Sequence, residues 1–135
     1  MITVQNTINA SIDKVWDLWT LPVHIQNWNN AIEDWYTSYA ENDLKVGGKF
    51  KYRMSKKDGS SGFDFEGIYT KVESLSLIEY KLVDTRIGKI SFEKNESKVK
   101  ITETFQPTIE DSISMQEEWC QTVIDNFKKY VESKN

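Results

Sequence analysis

Glu103 is the residue of this 135-residue chain whose setting most invites chemistry. It interrupts the apolar series Val99, Ile101, Phe105, so strict strand alternation points its carboxyl inward among rings. A carboxylate desolvated in that way holds its proton more tightly and becomes able to act as an acid or base near neutral pH. Paired with a tyrosine such as Tyr52 or Tyr80, it would form the core of a lyase-, cyclase- or hydrolase-like site. The competing reading is a strand-edge residue turned to solvent by a local twist. Asn6 poses the same question between Val4 and Ile8. An inward polar group costs on the order of a few kcal/mol unless hydrogen-bonded, a bond that Tyr52, Tyr69, Tyr80, water or the polar head of a ligand would supply.

The remaining reactive types assemble nothing comparable. His24 is the single histidine and is expected on the exposed face of a short helix. Without a second histidine or clustered cysteines there is no ordinary zinc set and no nucleophile–base pair, so neither a metal nor a cofactor is expected. Cys120, the lone cysteine, falls in a helical apolar stripe and reads as a small buried hydrophobe in a reducing compartment. Gly47-Gly48-Lys49 precedes a strand and lacks the spaced glycines and following Ser or Thr of a phosphate loop, leaving turn chemistry. Asp58-Gly59, with Ser60, Ser61 and Gly62, is fully explained as a hairpin turn, the other reading being a flexible loop that flanks a cavity mouth.

The elements that position these side chains follow from periodicity. Residues Ile2 to Asn9 alternate as a half-buried strand. Ser11 then caps a short helix ending near Thr20, with Ala10 and Val15 placed as a hydrophobic staple. Pro22 opens a second short helix to about Trp28. From Trp35 the period becomes two, with Phe50, Tyr52 and Met54 alternating with lysine and arginine, and further strands are expected at Phe63–Val72, Leu77–Val83, Ile87–Glu93 and Lys98–Gln106. Trp16, Trp19, Trp28 and Trp35 are expected to pack the short helices against the end of the sheet. A long amphipathic helix from about Asp111 to Lys134 closes the chain, carrying Trp119, Val123, Phe127 and Val131 at four-residue spacing. Ser114 with Glu117 has capping-box spacing, and Asp111 and Ser112 are rival caps. The fold class is α+β: an antiparallel meander of about six to seven strands, strongly curved, with the long helix covering its concave face.

If alternation holds, the inward set is Phe50, Tyr52, Met54, Phe63, Phe65, Tyr69, Ile78, Tyr80, Leu82, Ile90, Phe92, Val99, Ile101 and Phe105, facing Trp119, Val123 and Phe127. A bulge would exchange faces over part of it. The length and the 39% hydrophobic content fit one domain with a core that needs no disulfide. The charge of −4 is spread without a basic block, which speaks against nucleic acid and anionic lipid. No charged-then-apolar leader opens the chain and no apolar run approaches the roughly 20 residues that span a bilayer, so a cytoplasmic protein is expected.

The order of elements, with ASIDKVWDLW (Ala10 to Trp19), Trp28, NDLKVGGKF (Asn42 to Phe50), Asp58-Gly59, FDFEGIY (Phe63 to Tyr69) and WCQTVIDNFKKYV (Trp119 to Val131), resembles the START-like helix-grip (SRPBCC) superfamily. Within it the chain is most similar to the branch related to the C-terminal domain of the activator of Hsp90 ATPase. Where many relatives carry Gly-Trp in the last helix, this chain has Glu118-Trp119. The resemblance implies a cavity between sheet and last helix that takes apolar or amphipathic small molecules, with Phe50, Tyr52, Phe65, Tyr69, Tyr80, Phe92, Glu103, Trp119, Val123 and Phe127 as its wall. A non-enzymatic carrier or sensor is the favoured expectation. The alternatives are an enzyme using Glu103 with a tyrosine, and a co-chaperone acting on Hsp90, as the family name implies. Oligomeric state is left open.

Overall fold

The computed structural model describes residues 1–30 and 33–134. The chain runs β1 (Ile2–Ile8), α1 (Ile12–Thr20), α2 (Pro22–Trp28), β2 (Trp35–Asn42), β3 (Lys49–Lys56), β4 (Gly62–Glu73), β5 (Leu77–Leu82), β6 (Ile87–Asn95), β7 (Lys98–Phe105) and α3 (Ile113–Glu132). The strands form one antiparallel sheet in the order β1-β7-β6-β5-β4-β3-β2, curled into a half-barrel with the helices in its grip. The helix-grip α+β fold read from the sequence is the fold of the protein. No described helix is long and apolar enough to cross a membrane.

Local signals place the elements. Ser11 caps α1 by accepting the Lys14 amide, and Pro22 occupies the first turn of α2, where its missing N–H leaves no bond unmade. Gly47 and Gly59 take positive φ in the turns before β3 and β4, conformations an L side chain resists. Of the three rival caps for α3 the structure uses Ser112, whose hydroxyl accepts the Met115 amide at 3.1 Å, not the Ser114–Glu117 box. Gln116 explains the choice: its side chain accepts from the Thr108 amide and donates to the Thr108 and Asp111 carbonyls, tying the incoming loop to the first turn. Glu118 lies on the exposed side of α3, away from the sheet.

Two bulges interrupt the meander, one in β2 between Thr37 and Tyr39 and one in β4 between Tyr69 and Lys71. The second ends the Phe65–Gly67–Tyr69 inward series and hands the buried face to Val72. The packed core sits at the β1–β7 end. There Ile8, Val99 and Ile101 from the sheet meet Val15, Ile25, Ile124, Phe127 and Val131, all completely excluded from solvent. The tryptophans complete it: Trp19 stacks on Trp28 at 4.6 Å, both meet Phe127 edge-on at 4.9 Å, and Trp16 meets Phe92 at 5.1 Å. Trp28 donates its indole N–H to the Leu18 carbonyl at 2.7 Å, tying α2 to α1. The short helices thus plug half of the grip and leave the other half open.

Candidate functional site

That open half is a cavity of about 600 Å³ between the concave face of β3–β7 and the first half of α3. Inward-facing rings of consecutive strands make its wall. Phe50 touches Tyr52, Phe65, Tyr69 and Tyr80 at centroid distances of 5.0–5.7 Å, and Phe65 continues to Tyr80 at 6.1 Å. Trp119 on α3 stands edge-on to Trp35 at 5.9 Å, so these two indoles close the side where β2 approaches the helix. Trp19 and Trp28, the cavity-facing surface of the tryptophan plug, form the far end.

Eight of the ten wall residues named from the sequence line this cavity: Phe50, Tyr52, Phe65, Tyr69, Tyr80, Glu103, Trp119 and Val123. Phe92 and Phe127 do not. Their faces were read correctly, but both lie under the tryptophans of α1 and α2 and belong to the packed core, with Phe127 wholly buried. Of the wider inward set, Met54, Phe63, Ile78, Leu82, Ile90 and Phe105 also reach the cavity, while Val99 and Ile101 are core. Phe63 is 44% exposed, because it stands near the outer end of β4 against Trp35. Asp84, Arg86, Gln106 and Gln116 were not foreseen; they come from a turn, a strand end and a helix start, where alternation carries no signal.

Glu103 is turned inward, not to the solvent-facing strand edge that was its alternative. It pairs with Val4 and Ile90 on its two neighbouring strands, so β7 is an interior strand here and its carboxyl emerges into the cavity. The Tyr80 hydroxyl donates to Glu103 Oε2 at 3.2 Å, and this is its one hydrogen bond among the described residues. Burial pushes the Glu103 carboxyl up to about 7, with the Tyr80 bond acting in the opposite direction. The Tyr80 phenol is itself raised well above its ordinary value by burial and then by the neighbouring Glu103. The space for the Tyr80 ring is made by Gly88, its partner on β6.

A second polar chain runs along the β2–β4 side of the cavity. Tyr52 engages Tyr69, the Tyr69 hydroxyl donates to Asn42 Oδ1, and Asn42 Nδ2 donates to the Thr20 carbonyl at the end of α1 at 2.6 Å. Burial holds the Tyr69 phenol up at about 12. At the mouth, Arg86 Nε meets Asp84 Oδ2 at 2.7 Å.

The other sequence candidates lie elsewhere or do less. Cys120 is half-buried on the cavity wall, and burial raises its thiol to about 12, so it is no thiolate nucleophile. His24 is not a free surface residue. It is half-buried, and its Nδ1 lies 2.7 Å from the Tyr130 hydroxyl, which pins α2 to α3. Asn6 is half-buried and donates to Asp125 on α3 at 2.9 Å, which satisfies its amide within the fold. Among the described residues no group of three His, Cys, Asp or Glu side chains is placed to hold a metal.

The comparisons agree with the fold. The family model described as Activator of Hsp90 ATPase homolog 1-like protein matches residues 9–132. A solution structure of a protein from Cytophaga hutchinsonii is 40% identical, with a TM-score of 0.85 over 98% of this chain and 92% of its own. An AHSA1-like protein from Aeromonas hydrophila is 35% identical, with a TM-score of 0.88 over 98% of this chain and 94% of its own. A crystal structure from Nitrosomonas europaea, 17% identical at a TM-score of 0.82, covers 99% of this chain and 95% of its own and shares the fold. No curated protein matches the chain. Carrying the family's pattern over residues 9–132 on a START-type helix grip, the chain belongs to the Activator of Hsp90 ATPase homolog 1-like family.

Proposed function

We propose that the protein binds a small apolar or amphipathic molecule, without turning it over, in the cavity between the sheet and α3. The observation that carries this reading is the cavity: about 600 Å³ of space, walled by rings and equipped with a few polar groups at fixed places, is the usual form of a small-molecule site. A core meant only for stability fills such space, as the tryptophan plug does next door. The reaction-competent groups support binding over turnover. Glu103 and Tyr80 hydrogen-bond to each other, Cys120 is held as a thiol, and His24 is engaged by Tyr130 outside the cavity.

Native mass spectrometry of protein purified gently from cells tests the proposal. The expected result is a retained small molecule, removed by denaturation. A protein that arrives empty and takes up no member of an apolar fluorophore panel would overturn it.

One observation favours a second reading. A carboxyl that burial pushes up to about 7, beside a tyrosine, has the setting of a proton shuttle, so a substrate found by the first experiment should be checked for turnover with Glu103→Gln. The family description names Hsp90, and a co-chaperone role for this chain would show as a changed Hsp90 ATPase rate at high concentration of the protein.

A further inference from the structure

Among the described residues, Glu103 is the carboxyl that the cavity sets among its rings, and that residue indicates the ligand. Glu103 emerges from β7, an interior strand, and points into the space bounded by Tyr80, Phe65 and Tyr52. Those three rings adjoin one another, Phe65 lying edge-on to Tyr80 at 6.1 Å and stacked with Tyr52 at 6.0 Å. A carboxylate beside a patch of aromatic faces is the arrangement that receives an organic cation: the carboxylate supplies the counter-charge and the ring faces supply the cation–π attraction and exclude water.

Resting on the binding role argued above, we infer that the ligand is a cationic amphiphile, an organic amine with an apolar or aromatic body, whose ammonium sits between Glu103 and the ring surface of Tyr52, Phe65 and Tyr80.

The charges around the cavity agree in sign. Asp84, Glu110 and Asp111 line the approach, and the single cation there, Arg86, is already paired with Asp84 at 2.7 Å. A carboxylate ligand would bring a negative charge against Glu103, and the one cation among the described lining residues, Arg86, already has its Nε on Asp84. A neutral ligand would leave the Glu103 carboxyl in an apolar site with Tyr80 as its one protein partner, a costly environment for the charged form. Burial raises the affinity of Glu103 for its proton, and a bound ammonium would offset the cost of burying its charge. The groups that face Glu103 from the packed elements are Tyr80 of β5, Tyr52 of β3 and Cys120 of α3, all neutral around pH 7 because burial raises each of them, with the Arg86 guanidinium, whose charge also reaches Tyr80 and Cys120, beyond them. Glu103 is therefore the group among them that changes charge between pH 6 and 8.

The test compares three shape-matched probes, 4-phenylbutylamine, 4-phenylbutanol and 4-phenylbutyrate, titrated calorimetrically into the protein. The amine is expected to bind at least tenfold more tightly than the alcohol at pH 8, and the butyrate more weakly than either. The amine's advantage should shrink severalfold at pH 6, as Glu103 takes up its proton. Glu103→Gln should abolish the amine's advantage over the alcohol and the pH dependence, with circular dichroism and the urea midpoint reporting that the variant is folded. Binding of the alcohol or butyrate as tightly as the amine would overturn the inference and leave the binding role standing. Failure of all three probes would count against both.

Discussion

Tyr80 lies across Gly88, its directly paired neighbour on β6, so closely that a Cβ added at Gly88 would stand 2.3 Å from the Tyr80 hydroxyl oxygen. The glycine is what lets the Tyr80 ring lie along the sheet and bring its hydroxyl to Glu103. An ordinary side chain at position 88 would stand the ring up into the cavity.

Gly88→Ala is therefore expected to destabilise the fold by about 1–3 kcal/mol through overpacking, and to break the Tyr80–Glu103 hydrogen bond. Because that bond lowers the carboxyl's affinity for its proton, its loss should move the Glu103 titration upward. Urea midpoints and carbon-detected NMR titration of Glu103 measure the two effects. An unchanged Glu103 titration would show that Tyr80 does not need the glycine to reach it.

The Glu103 carboxyl also predicts how stability depends on pH. Its folded value of about 7 lies above the ordinary 4.5, so the folded state holds this proton more tightly than the unfolded chain. Stability from this group is fully present below about pH 4.5 and is lost as pH rises through about 7, by no more than about 3 kcal/mol. Asp58, Asp84 and Glu132, whose carboxyls are held below the ordinary range, act with the opposite sign at lower pH. The measurement is a difference curve: urea midpoints of wild type minus Glu103→Gln between pH 4.5 and 8 should slope downward with pH. A flat difference would mean that the cavity keeps Glu103 hydrated.

The division between plug and cavity separates stability from binding. Phe127→Ala removes a wholly buried ring from contact with Trp19 and Trp28 and should cost about 3–5 kcal/mol. Trp119 is half-buried and meets only Trp35 by ring contact among the described residues, so Trp119→Ala should cost far less in thermal unfolding. Its effect should instead appear as weakened affinity for whichever probe the cavity accepts. Equal stability losses in the two variants would contradict the division.

How far the sequence reached depended on what each residue signals. Period-two alternation located the five strands given bounds (β1 and β4 to β7) to within a residue or two of their observed ends, and Ser11 and Pro22 located α1 and α2, because those cues are local. Alternation reports which face a side chain takes, not what covers it. Phe92 and Phe127 face inward as expected, yet they lie under Trp16, Trp19 and Trp28, delivered from helices distant in sequence. Asn42, Asp84, Arg86 and Gln106 line the cavity from strand ends and a turn, where no period exists to reveal them. Ser112 prevailed over Ser114 as the cap because Gln116 fastens the preceding loop, a tertiary effect that the spacing of Ser114 and Glu117 does not encode.

The edge strand β1 supplies the last prediction. It pairs with β7 on one side and leaves its other backbone edge open, a site for unwanted pairing with another chain. Side chains of α3 occupy that edge: Gln121 donates to the Gln5 carbonyl at 3.0 Å, Lys128 donates to the Thr7 carbonyl at 2.7 Å, and Glu132 accepts the Asn9 amide at 2.9 Å. These bonds follow every second residue, Gln5 and Thr7 in β1 and Asn9 just past its end, while their donors and acceptor recur every seven and four residues along one face of α3, so a strand period is matched to a helix period. Each is worth only about 0.5–1.5 kcal/mol, and the double variant Gln121→Ala with Lys128→Ala should lower stability by about 1–3 kcal/mol. The sharper effect is local. Amide exchange in β1 should accelerate more than in β5, which is paired on both sides, and aggregation at high concentration should rise as the edge is bared. Uniform acceleration across both strands would mean that the helix stabilises the sheet as a whole and does not specifically cover its edge.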